Sequence, residues 1–156
     1  MAGYIQYFLI SAMAFLGLYC GLAVGKMAPE ELQPGRQYLV WLMHALFAAI
    51  LGIFLYLNPS VLFFTAIPVV IILFSLSRRR ETLYYHSLPL MMMLSYQYNG
   101  FTLIAPLIFL YGFPLASIYL ADNPKESLRS AARSILVKYS GFLAISLCFA
   151  AMMAFI

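Results

Sequence analysis

The side chains best equipped for chemistry in this chain are His44 and His86, the run Met91-Met92-Met93, and the cysteines Cys20 and Cys148. Two imidazoles held at similar depth would make a bis-histidine haem site or part of a metal site. A pair without a third donor defines neither, and a hydrogen-bonded packing histidine is far commoner, so no cofactor, haem or metal is expected through His44 and His86. Three consecutive methionines on a helix point about 100° apart and cannot converge on one soft ion, so they are expected to fill core space. The cysteines form no CxxC and no zinc-ligand spacing, and are expected to be reduced, small packing residues.

No Asp, Glu, Lys or Arg lies well inside any of the apolar stretches. An ionisable group inside a membrane is expensive and usually functional. Its absence argues against a proton-coupled pump with a buried carboxylate, an aspartyl intramembrane protease and a phosphotransferase site. No GxSG element accompanies a histidine in the manner of a serine intramembrane protease. The balance therefore points away from an enzyme.

Prolines offer another route to function. Pro68, Pro89, Pro106 and Pro114 fall inside apolar stretches. Each removes a backbone donor and frees a carbonyl, a device transporters use at binding sites. With His44 and His86 they outline a candidate ligand path through the third, fourth and fifth helices.

These residues need elements to hold them, and composition says what kind. The chain has 156 residues, 65% hydrophobic and 9% charged, against about 45–50% apolar and about 25% charged in an ordinary soluble domain. A chain this size cannot cover so much apolar surface in water, so its solvent is lipid. At about 20 residues per crossing, the expected spans are 4–24, 38–57, 61–76, 83–96, 101–121 and 135–156. The fold class is an all-α, polytopic helix bundle of about six transmembrane helices, forming one transmembrane domain over 1–156. The fourth span is short and either crosses fully or is re-entrant. No basic leader precedes the first apolar run, so that run is expected to be a mature span and not a cleaved signal.

All nine basic and all five acidic residues fall at alternate connections: 26–37, 78–81 and 122–138. The connections Asn58-Pro59-Ser60 and 96–100 carry no charge. By the positive-inside rule the charged connections are cytoplasmic, both termini lie outside, and the protein is a multi-pass protein of the cell membrane. The net charge of +4 is too small and too confined to loops to indicate nucleic acid.

Gly17, Gly21 and Gly25 repeat every fourth residue. In lipid, helices gain little from mutual hydrophobic attraction, and small residues four apart allow close backbone contact. Ala45 and Ala49 make a similar stripe on the second helix, and Ser146, Ala150 and Ala154 on the sixth. Helices 1, 2 and 6 are therefore expected to form a tight unit, within one chain or at a homo-oligomer interface. Residues 122–138 read as an amphipathic interfacial helix, with Lys125, Arg129 and Arg133 on one stripe facing anionic lipid headgroups, or a cytoplasmic partner, at the cytoplasmic face. The leading expectation is a small, non-enzymatic subunit or scaffold of a larger membrane complex. A small transporter or channel along the proline-bearing helices is the alternative.

Overall fold

The computed structural model describes residues 2–57, 80–96 and 100–155. They form five helices: α1 (Ala2–Met27), α2 (Pro29–Leu57), α3 (Arg80–Tyr96), α4 (Phe101–Asp122) and α5 (Leu128–Phe155). By length and composition α1, α2, α4 and α5 are able to cross a membrane. Six helices were expected; the third, 61–76 with Pro68, lies outside the described residues, as does the turn at 58–60. The segment expected as a short fourth span forms α3, whose 17 residues give about 25 Å of helix against a hydrocarbon core of about 30 Å.

The connection between α1 and α2 is far tighter than the polar composition of 26–37 predicts. Only Ala28 separates the two helices, and its carbonyl accepts the Glu31 N–H at 3.2 Å. Pro29 stands at the first helical position, where its missing N–H costs nothing. Glu30 and Glu31 occupy the first turn, where the helix dipole favours negative charge. Polar residues here continue a helix beyond the apolar layer; they do not break it. At the other connection of this end, the Asn123 N–H caps α4 on the carbonyls of Tyr119 and Leu120. Ser127 Oγ then accepts the Ser130 N–H at 3.2 Å and opens α5. The amphipathic segment expected over 122–138 becomes helical at Leu128 and runs unbroken into the apolar length of α5.

Contacts order the helices. Running parallel to α4, α1 lays Gly17 on Phe109, Gly21 on Phe113 and Gly25 on Leu120. In contrast, α2 is antiparallel to α4, with Arg36 against Asp122, Phe47 against Tyr111 and Leu57 against Gly100. The third helix, α3, runs antiparallel to α1, pairing Gly3 with Tyr96 and Tyr7 with Pro89, and lies along α5 through Tyr85 with Phe142 and His86 with Gly141. The apolar, mostly buried α4 thus takes α1, α2 and α3 against it.

One expected grouping is corrected. α1 packs on α5, but it meets α2 only sparingly. Ala45 and Ala49 are exposed, and a Cβ added at Gly52 would meet nothing within 4 Å. The α2 stripe faces outward among the described residues, because α2 uses Met43, Ile50 and Phe54 to seat itself in the core.

The α1–α4 contact is backbone on backbone. A Cβ at Gly17 would stand 2.9 Å from Phe109 Cα and closer to the Phe109 carbonyl; one at Gly112 would stand 2.6 Å from both Gly17 C and Leu18 N. Backbone cannot rotate away, so Gly17→Ala and Gly112→Ala are each expected to cost about 1–3 kcal/mol or more. Gly52→Ala, in open space, should leave stability unchanged or raise it by up to about 1 kcal/mol. Thermal unfolding of the three variants in one detergent checks the contrast.

Candidate functional site

Two regions hold the polar chemistry of the described residues. The first is an aromatic and hydroxyl cluster where α1, α3, α4 and α5 meet. Tyr85, Tyr111, Tyr139 and Phe142 are fully buried. The Tyr85 ring lies 4.8 Å from Phe142, 5.3 Å from Tyr139 and 6.2 Å from Tyr111, and Phe15 closes the cluster from α1 at 6.4 Å. Such offset and edge-on pairs add to the stabilisation from burial alone. The Tyr85 hydroxyl has no hydrogen-bond partner among the described residues. Nearer the uncharged end, the buried Tyr7 hydroxyl donates to the Pro89 carbonyl at 3.0 Å, with Ser11 and Ser146 beside it. This bond joins α1 to α3 where an unmade polar bond would be costly.

The second region is a clasp at the charged end. Lys26 Nζ donates to the Glu126 carbonyl at 2.6 Å, and Gln33 Nε2 donates to the Ala121 carbonyl. Arg36 reaches Asp122 through two donors, at 2.8 and 3.3 Å. The Tyr119 hydroxyl donates to Glu126 Oε2 at 3.1 Å. Lys138 Nζ sits 5.5 Å from the Tyr119 ring centroid and 5.3 Å from that of Tyr139. The α1–α2 and α4–α5 connections are therefore tied together at one end of the bundle. Lys125, Arg129 and Arg133 project outward beside them and are exposed.

The other expected residues are dispersed. His44 is exposed and turns Nδ1 to its own helix, 2.7 Å from the Val40 carbonyl. His86 does the same with Thr82 at 2.6 Å, while its Nε2 lies against Gly141 on α5. Among the described residues no three His, Cys, Asp or Glu side chains gather as a metal would require. Met91 and Met92 are buried in the core. Cys20 is half-buried and Cys148 exposed, both as free thiols. Of the four prolines of the expected ligand path, the three that are described stand in different surroundings: Pro89 and Pro114 are buried, and Pro106 is exposed on an apolar groove of about 430 Å³ between α1 and α4. Ser146 and Ala150 are buried toward α1, and the side chain of Ala154 lies outside the described residues.

Sequence reasoning missed the clasp, the Tyr7–Pro89 bond and the tyrosine cluster. A signal for the cluster was present: Tyr85, Tyr111 and Tyr139 sit well inside helices, away from the ends where an aromatic belt would place them. Arg36 and Asp122 were legible only as loop charges.

The fold thus reads as an integral membrane helix bundle, with four helices able to span. No protein family, curated protein or solved structure matches the chain.

The two kinds of buried tyrosine should respond differently to loss of the hydroxyl. Tyr7→Phe removes a made bond and is expected to cost about 1 kcal/mol. Tyr85→Phe keeps the ring contacts and should leave the melting temperature unchanged or raised. Unfolding of both variants under identical conditions is the measurement.

Proposed function

We propose that the chain is a non-enzymatic, membrane-embedded subunit or scaffold, crossing the bilayer six times with its charged connections on the cytoplasmic side and its termini opposite. The observation that carries this reading is the separation of packing from charge. Aromatic and aliphatic side chains fill the meeting point of α1, α3, α4 and α5, and the charged side chains Lys26, Arg36, Asp122 and Glu126 are gathered into one terminal clasp. Such a bundle is suited to present a stiff surface to a neighbour. The outward face of α2, with Trp41, Leu42, Ala45 and Ala49, is apolar and small enough for close approach by another helix.

Chain connectivity supports six crossings. Leu57 ends α2 beside Gly100 at the uncharged end, whereas the first turns of α3 lie toward the charged end, with Tyr84 against His44 and Phe47. The span expected at 61–76, which lies outside the described residues, falls between these two points in the sequence.

Extraction from its native membrane in mild detergent is expected to yield a complex larger than the 17.6 kDa chain. The isolated chain in liposomes should pass neither ions nor small solutes. A monodisperse, solitary chain that conducts would overturn the subunit reading. In a cysteine-free background, Arg36→Cys and Arg129→Cys should label from the cytoplasmic side, and Thr102→Cys from the other. Labelling of Arg36→Cys and Arg129→Cys from opposite faces would overturn the topology.

A further inference from the structure

We propose that the first turns of α5 form a binding site for the phosphate of an anionic phospholipid, an inference that rests on the membrane placement above but not on any partner protein. Lys125, Arg129 and Arg133 are exposed and make no ion pair with the described residues. The acids nearest in sequence are engaged: Asp122 holds Arg36, and Glu126 accepts the Tyr119 hydroxyl. Among the described residues nothing therefore neutralises this strip from within.

The helix itself adds to the imbalance. The first turn of α5 contains no acidic side chain, although a helix start carries partial positive charge and favours anions. The start of α2 is built the other way, with Glu30 and Glu31 in its first turn. Arg129 and Arg133, placed in the opening turns of α5, oppose the dipole of their own helix. A bound phosphate relieves both sources of positive potential together.

The occupant follows from what continues along that face. At about 100° per residue, Leu136 and Val137 fall on the same side as Arg129 and Arg133, one turn further in. Both are exposed, and Leu147 extends the apolar face deeper. One helix face thus passes from cationic to aliphatic within a turn. A phospholipid carries phosphate and acyl chain in that sequence, whereas an acidic peptide or free phosphate offers no aliphatic continuation.

The test is lipid selection by the full chain in nanodiscs of phosphatidylcholine mixed with phosphatidylglycerol, reading the lipids that remain bound by native mass spectrometry. Phosphatidylglycerol is expected to be enriched over its bulk share. Each basic side chain removed should lower its apparent affinity by about fivefold. The variant Lys125→Gln/Arg129→Gln/Arg133→Gln should return selection to the bulk ratio, while Arg129→Lys/Arg133→Lys retains most of it. Helical circular dichroism shows that the variants fold. Absence of enrichment in the wild type, or full enrichment in the triple glutamine variant, overturns the proposal. Displacement of the lipid by inorganic phosphate at equal concentration, or by poly-glutamate, does so as well, reassigning the site to a free anion or an acidic protein. Lipid selection is read on the isolated chain, so it stands or falls separately from the subunit reading.

Discussion

The contact of α1 with α4 is the constraint on which the other helices depend. Two long helices meet with backbone against backbone at Gly17 and Gly112, and the contact extends through Gly21 to Phe113 and Gly25 to Leu120. In a lipid solvent such a seam gains its stabilisation from dispersion between closely placed atoms, since lipid tails match any side chain in apolarity. The seam fixes the depth of α1 relative to α4. α2 reads its own register from α4, α5 from α1, and α3 chiefly from α5.

Because α4 takes α1, α2 and α3 against it, its surroundings explain the character of its neighbours. α1, α4 and α5 each bring a ring to Tyr85 of α3, and there the rings interleave. α2 touches α4 along one face, through Phe47 and Phe54, and leaves the rest of its surface outward. The same alanine spacing that would have served an internal seam on another helix becomes outer surface on α2. At the charged end, the Arg36–Asp122 pair and the bonds from Lys26 and Gln33 hold the connections together. Exposed ion pairs are individually weak, typically below about 1 kcal/mol. Their part is to register the ends of helices already seated by packing.

Much of this was legible in the sequence, and the reasons are physical. Charged residues cannot rest in hydrocarbon, so their positions along the chain foretold that Lys26, Arg36, Asp122 and Glu126 would share an end. Glycine periodicity foretold a close contact on α1. Spacing does not carry an address, however, and the partner proved to be α4, whose Gly112 and Ala116 complete the fit. The stripe at Ala45 and Ala49 read identically and met nothing in α4, because a small residue permits a contact without attracting one. The segment 26–37 reads as a loop because polarity marks exit from lipid, not the end of a helix. The tyrosine cluster was hidden by a real tendency of tyrosine to sit at interfaces; only its depth within the helices set Tyr85, Tyr111 and Tyr139 apart.

The single-residue bend at Ala28 has a consequence for how the protein comes to exist. α1 enters that bend and α2 leaves it antiparallel; the two meet sparingly, and each rests on α4. The slot is thus translated first and the wedge that fills it some seventy residues afterwards. Until α4 is made, the glycine face of α1 lacks the backbone it closes on. Closure of this seam therefore waits on the later part of the chain, and α1 reaches its final packing only once that part is present.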